Sequence, residues 1–441
     1  MKVLKKTLFL LGILIFFAGY YFYEIKTAPK KEKKKEEEKK LFLINKENVN
    51  LIYMKNGAKE IEIIKLGKNW VIKNKNYECD KSEIESLLNK ILSLEVEREI
   101  ENVNDLSQYG LMQPEKIIKL QEDGEKYILC IGDETPTGSY LYTTTDNRNI
   151  KLIYKWDLDD ILKKEIFDLR DKRILPVDIV KSDVEEIEIK RGNYSYYFKR
   201  SGNEWYIKNK IYDLASKDKM DEILENIFDK KVKEYEENKN ERECGLEKPT
   251  ATFKIKVKDG EYYLYLGKKK ENFYYAKNSL KPYIFLVEDR IIEDIPENIN
   301  ELREKKLFDF NISDVNEIII TKKEEELKFL KEKDKWYLEK DKTKKISKQK
   351  IEDFLSDLKY IEIKDFVDYS EDKLKNYSLL PAELKISVFD SEKRIEIHFG
   401  KKTEKEIYCY HPKRKILFTI SSSEYDKINK EKEFFIEKEK K

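Results

Sequence analysis

The eight residues SQYGLMQP (107–114) hold a glycine, then a leucine, then a proline three places on, and the same order returns in ECGLEKP (243–249). A third version, NYSLLP (376–381), has Ser378 in the glycine place and Pro381 nearer. Gly110 and Gly245 can adopt the left-handed conformation that ends a helix. Leu111 or Leu246 then folds back onto that helix, and Pro114 or Pro249 blocks its continuation. With Ser378 before Leu379, the third turn is expected to be distorted.

Working outward from the turn, Trp70, Trp205 and Trp336 stand 41, 41 and 43 residues before Leu111, Leu246 and Leu379. Gly132, Gly267 and Gly400 lie 21 residues after those leucines, and Tyr140, Tyr275 and Tyr408 eight further on. Such agreement marks three tandem copies of one unit. Each copy opens with alternating strands (VNLIYMK and KEIEIIKLG in the first) and then a tryptophan strand (WVIKN, WYIKN, WYLEK). Period two places Trp70 with Ile72, Trp205 with Ile207 and Trp336 with Leu338 on one face. A helix follows, with Ile84, Leu87, Leu88, Ile91 and Leu92 at helical spacing and Asp80 and Glu83 placed for a capping box. Beyond the leucine turn comes a hairpin at Asp123-Gly124 or Asp259-Gly260. A strand ending at the aligned glycine, a tyrosine strand, another strand and a short helix complete the unit. Tyr140 with Tyr142, and Tyr408 with Tyr410, are expected to pack over the helix.

The expected fold class is α+β: an N-terminal transmembrane helix, then three repeats, each an antiparallel β-sheet with a packed amphipathic helix. The divisions are 1–24 anchor, 25–45 charged stalk, 46–175 first repeat, 176–309 second and 310–441 third. About three domains also suit a chain of 441 residues.

Thr7–Tyr23 is an uncharged apolar run preceded by Lys2, Lys5 and Lys6. As a helix of 17 residues it reaches ~26 Å, near the thickness of a hydrocarbon core. Its end is bulky and aromatic, so it reads as an uncleaved signal anchor through which residues 7–23 meet the lipid bilayer. The flanking lysines put the N-terminus in the cytoplasm and the repeats outside it, single-pass at the cell membrane. The stretch KTAPKKEKKKEEEKK reads as a solvated tether.

Chemistry is sparse. With 90 Lys+Arg against 88 Asp+Glu the chain is nearly neutral, which argues against a nucleic-acid partner. Cys79, Cys130, Cys244 and Cys409 are far apart and His398 and His411 are the only histidines, so no metal site is expected. The four cysteines read as half-buried free thiols. No nucleophile elbow, phosphate loop or zinc-protease helix occurs. The residues that recur shape backbones and fill cores. No catalytic residue, cofactor or enzymatic activity is expected. The recurring pairs Arg170-Asp171 and Arg303-Glu304 are candidates for an exposed recognition spot, or for an ion pair or helix cap between neighbouring units.

The tryptophan strand, amphipathic helix, Y-G-L-x-x-P turn, hairpin ending in I-G, tyrosine strand and L-R-D-K/R ending resemble the bacterial family called domain of unknown function 4340. Trp70, Tyr109, Gly110, Leu111, Pro114, Gly132, Arg170 and Asp171 carry the match in the first copy. The resemblance implies a membrane-anchored protein with tandem copies, accompanying ABC-class transporters related to gliding-motility and auxiliary transport systems. It transfers no catalytic residue. The expectation is therefore a non-catalytic accessory subunit of an envelope complex of the ABC transport type. The alternatives are a cell-wall or glycan-binding module, which needs Tyr140, Tyr275 and Tyr408 exposed in a row, and an envelope hydrolase.

Overall fold

A computed structural model describes residues 21, 39–175, 179–323, 325–390 and 393–437. The apolar run 7–23 lies outside them except for Tyr21, and among the described residues no helix is long and apolar enough to cross a membrane. The chain divides into two compact units, Met1–Lys172 and Arg173–Lys441.

The first unit is built on one antiparallel sheet. Its strands are β1 (Val49–Asn56), β2 (Lys59–Leu66), β3 (Asn69–Ile72), β4 (Tyr77–Glu78), β5 (Arg98–Ile100), β6 (Lys116–Glu122), β7 (Glu125–Glu134), β8 (Tyr140–Thr144) and β9 (Ile150–Tyr154). They lie in the order β4-β3-β2-β1-β6-β7-β8-β9-β5. Helix α1 (Lys81–Leu92) follows β4 and buries Ile84, Leu87, Leu88 and Ile91, while Leu92 is half-buried. At about 1.5–3 kcal/mol per side chain, those four buried residues bind the helix far more strongly than propensity would. Asp80 caps it, accepting from the N–H groups of Ser82 and Glu83. The reciprocal half of the expected capping box is replaced: the Glu83 carboxylate takes Lys164 Nζ at 3.0 Å.

The second unit holds two sheets. One contains β10 (Val184–Arg191), β11 (Tyr194–Ser201), β12 (Glu204–Lys208), β13 (Tyr212–Leu214), β14 (Glu234–Tyr235), β15 (Ala251–Val257), β16 (Gly260–Lys270), β17 (Phe273–Asn278) and β18 (Phe285–Glu288), with helix α2 (Lys217–Phe228) after β13. The other contains β19 (Glu317–Lys322), β20 (Glu325–Glu332), β21 (Lys335–Leu338), β22 (Asp365–Val367), β23 (Leu384–Phe389), β24 (Arg394–Lys402), β25 (Glu406–His411) and β26 (Ile416–Ser421), with helix α3 (Lys348–Lys359) after β21. Their orders are β13-β12-β11-β10-β15-β16-β17-β18-β14 and β21-β20-β19-β23-β24-β25-β26-β22. The three sheets thus share one topology, and among the described residues the third shows no strand corresponding to β4 and β13.

Each copy also receives a short lead-in segment beside the stretch that follows its helix, through the bridges Lys40↔Glu95, Arg173↔Lys231 and Lys306↔Glu362. Phe42 is buried at the start of the first copy, Ile174 and Leu175 join the second core, and Leu307 and Phe308 join the third. The second copy's hairpin turns one residue earlier than expected. Val257 pairs with Gly260, so Lys258-Asp259 forms the loop, whereas in the first copy Glu122 pairs with Glu125 around Asp123-Gly124.

Candidate functional site

The leucine turn is the same device three times. Leu111, Leu246 and Leu379 donate their N–H groups to Leu106, Glu241 and Leu374 O, while Gly110, Gly245 and Ser378 donate to Ser107, Arg242 and Lys375 O. This is the double bond of a Schellman motif. The third turn is not distorted: Ser378 takes φ 55° where Gly110 and Gly245 take 69° and 72°. The neighbouring bonds hold the serine in the left-handed region, at a cost of roughly 1–2 kcal/mol. All three leucines are buried. Pro114 and Pro249 are half-buried behind them, and Pro381 is exposed.

Gly132, Gly267 and Gly400 are explained by the same turn. A methyl group on each would sit 2.1 Å from Tyr109, Cys244 or Tyr377 O. Each glycine lies where the strand pairing shifts, between Ile131 and Glu134, Leu266 and Lys269, or Phe399 and Lys402. These bulges let the turn backbone press directly on the sheet. The bonds Lys268 N–H to Cys244 O (2.8 Å) and Lys401 N–H to Tyr377 O (2.7 Å) close the contact.

Register corrects the tyrosine alignment. Ile131, Leu266 and Phe399 each precede an aligned glycine and pair with Thr143, Ala276 and Cys409. The counterpart of Tyr275 and Tyr408 is therefore Tyr142, not Tyr140; a longer β7–β8 connection shifts the first copy by two residues without changing face. Nor do the tyrosines of the third copy cover the helix. Ile407 and Cys409 enter the helix-side core, while Tyr408 and Tyr410 pack with Leu374, Leu379 and Leu417 under the turn. Tyr142 meets the Tyr109 ring at 4.8 Å and Tyr408 stacks on Tyr377 at 3.8 Å. Tyr275 is buried and Tyr140 and Tyr408 are half-buried, so the three do not form an exposed row.

The tail pairs prove to be joints. The chain after each short C-terminal helix bridges the residue just ahead of the main helix: Cys79↔Arg170, Ala215↔Arg303 and Ile346↔Ile436. In the first copy the buried Arg170 guanidinium lies 3.6 Å from the Tyr77 ring centroid. Asp171, also buried, donates its N–H to Glu78 O. Burial, and then the Asp171 charge, pushes the Cys79 thiol up to about 12. In the second copy Arg303 Nε donates to Asp213 Oδ2 at 2.8 Å, and Asp213 is completely enclosed. Arg414, from the β25–β26 turn of the third copy, donates Nε to Oδ1 and Nη2 to Oδ2 of the same carboxylate, each at 2.9 Å. Its Nη2 also reaches Glu304 O at 2.8 Å. The Arg303 guanidinium carbon lies 3.5 Å from the ring centroid of Phe366 of the third copy. Glu304 receives the N–H groups of Lys217 and Lys306. The sequence pairs Arg303 with Glu304; the fold pairs it with Asp213 and uses Glu304 as a helix cap.

His411 sits at the same joint. Burial, then the Arg414 charge, with Asp213 opposing, lowers its pKa to about 4, so the ring is neutral at pH 7. On the opposite face of that sheet His398 Nε2 lies 2.8 Å from Glu396 Oε1, and Ser387 Oγ donates to Glu396 Oε2 at 3.0 Å. Burial works against ionisation of Glu396, yet the bonds from His398 and Ser387 and the Arg394 charge hold its carboxyl below the usual range. Acyl transfer needs serine bonded to the imidazole, with the acid behind it. Here the carboxylate sits between serine and histidine. The positions of Glu396 and His398 are occupied by Ile128 and Cys130 in the first copy and Tyr263 and Tyr265 in the second.

The four thiols are free, with Cys79, Cys244 and Cys409 buried. Among the described residues no group of three His, Cys, Asp or Glu side chains is placed to hold a metal ion. The family described as "Domain of unknown function (DUF4340)" matches residues 70–249 and 212–382, two overlapping stretches that suit tandem copies. No curated protein matches the chain.

Proposed function

Since this chain belongs to the DUF4340 family, which is defined without an activity, we propose that it works without catalysis, as a membrane-tethered accessory subunit of an envelope complex. The partner we infer is an ABC-type transport system. Residues 7–23 fix the chain in the bilayer, the charged stalk of residues 25–45, whose residues 39–41 already run beside residues 94–96, sets its reach, and the three repeats present docking surface outside the cytoplasm.

The observation that carries this reading is the joint at Asp213. Two guanidinium groups from consecutive copies converge on one enclosed carboxylate, and all three partners satisfy one another. This charged cluster is turned inward, with Asp213 enclosed and Arg303 and Arg414 nearly so. It fixes two sheets as one body, which suits a scaffold. The residues that recur in every copy likewise serve turns, bulges and cores.

Affinity capture of the full chain from detergent-solubilised membranes tests the reading. Reproducible recovery of ABC-type transporter subunits is expected, and reproducible recovery of none overturns it. A reporter fused at the C-terminus tests topology; activity of only a cytoplasmic-type reporter would remove the envelope location.

A further inference from the structure

Trp156 stands apart from the other three tryptophans. Trp70, Trp205 and Trp336 are buried, whereas Trp156 is 79 % exposed at the start of a short helix (Lys155–Leu162). Two residues earlier Tyr154 is 49 % exposed, and its ring lies 4.6 Å from that of Tyr140. The Tyr140 and Tyr154 rings thus meet at the end of β8 and β9, and the exposed Trp156 follows two residues along the chain.

The neighbouring copies show that the fold does not need these rings. Tyr140 pairs with Tyr154 as Phe273 pairs with Glu288 and Glu406 with Ser421. Two residues on, Trp156 is matched by Arg290 and Ser423. The cluster belongs to the first copy alone, the one joined to the N-terminal segment.

Its position bears on that segment. Val96 N–H donates to Lys39 O and Leu41 N–H to Leu94 O, so the incoming chain runs along one side of residues 94–96. On the other side Glu97 N–H donates to Leu152 O, and Arg98 pairs with Leu152. Continuing that register sets Tyr154 opposite Val96, two strand spacings from Lys39, about 10 Å. The rings sit beside the point where the tether enters the unit.

We propose that Tyr140, Tyr154 and Trp156 seat the first copy against the headgroup layer of the bilayer, an inference that rests on residues 7–23 being a membrane anchor. Tryptophan and tyrosine suit that layer, with an apolar body and a polar tip. The surrounding charges give no basic excess: Lys155 pairs with Glu134 and Lys90 with Asp160, Lys163 lies near the Trp156 ring, and Asp157 and Asp159 stand on the same helix. The contact is therefore amphipathic rather than electrostatic and does not require anionic lipid.

The test uses the full chain reconstituted into phosphatidylcholine vesicles, with and without lipid brominated close to the carbonyls. Flotation reports whether the chain is embedded, and tryptophan emission reports whether an indole reaches the interface. Embedded protein is expected to show one quenchable emission component out of four tryptophans. That component should disappear in Trp156→Phe and survive high salt. Vesicle-bound protein with no quenching at Trp156 overturns the seating while leaving the anchor intact; so does quenching that salt abolishes. Failure to float overturns the anchor, and the seating with it. Trp156→Ser, at an exposed position, should melt with the parent protein and give the same loss.

Discussion

Replacing Gly267 by alanine tests the three-copy packing at its tightest point. The added methyl carbon would lie 2.1 Å from Cys244 O and 3.1 Å from Cys244 C, both backbone atoms that cannot rotate away. A tolerable separation requires the turn and the bulge to part by about 1 Å. That movement breaks the 2.8 Å bond from Lys268 N–H to Cys244 O and disturbs the 2.7 Å bond from Thr250 Oγ1 to Gly267 O. Overpacking costs about 1–3 kcal/mol and a lost buried hydrogen bond about 1–3 more, so the sum is on the order of 2–6 kcal/mol. For a unit of this size it corresponds to a fall in Tm of roughly 4–24 °C. Gly202→Ala is the control. Gly202 has φ 61° with nothing within 4 Å, so alanine there meets only backbone strain, about 1–2 kcal/mol. Thermal unfolding of the two variants beside the parent decides the matter. If Gly267→Ala costs no more than Gly202→Ala, the recurring glycine is not there to admit the turn. Gly132→Ala and Gly400→Ala meet Tyr109 and Tyr377 O at the same 2.1 Å and should behave alike.

Asp213→Asn should cost about 3–5 kcal/mol, because it leaves Arg303 and Arg414 buried without their carboxylate. Replacing the trio together by apolar residues (Asp213→Leu, Arg303→Met, Arg414→Leu) should recover most of that loss, and denaturant melts of the two variants check it. Ser378→Gly should raise stability by up to about 1 kcal/mol, since glycine meets no penalty at φ 55°; an unchanged or lower Tm would remove the strain argument. His411 has a folded pKa of about 4, below its value in the unfolded chain. On acidification the unfolded state takes the proton first, so this contribution is complete above about pH 6.5 and is lost as pH falls toward 4. It amounts to about 3 kcal/mol in all. In His411→Phe the stability curve between those values should flatten, as urea midpoints at stepped pH would show.

The architecture was legible because it rests on residues with few physical alternatives. A tryptophan beginning a strand, a leucine folding back after a left-handed residue and a glycine where backbones touch leave marks at fixed spacing. Legibility failed where another residue could do the same work. Ser378 and Lys333 take positive φ in the third copy where Gly110, Gly245, Gly67 and Gly202 do so in the others, so the third turn looked damaged when it was intact. The tyrosine alignment slipped by two residues because a strand period of two conceals such an error: Tyr140 and Tyr142 share a face, and only pairing tells them apart. The joint was beyond reach of any local pattern. Arg414 and Asp213 are 201 residues apart, and neither recurs.

That last contrast shows where to look for what is particular to this chain. At the joint position the three copies place Arg170 over Tyr77, Arg303 against Asp213, and Ile436 beside Ile346. One backbone arrangement thus carries three different pair chemistries. The Asp213 carboxylate takes two guanidinium groups and so recruits Arg414 from the neighbouring copy. The aromatic cluster of Tyr140, Tyr154 and Trp156 obeys the same logic, since the other copies place Glu288 and Ser421 at the Tyr154 position and Arg290 and Ser423 at that of Trp156. Residues that recur report on how the unit folds, because each copy must solve the same packing problem. Residues that differ at equivalent positions are free of that demand, and partner or membrane contacts are therefore to be sought among them.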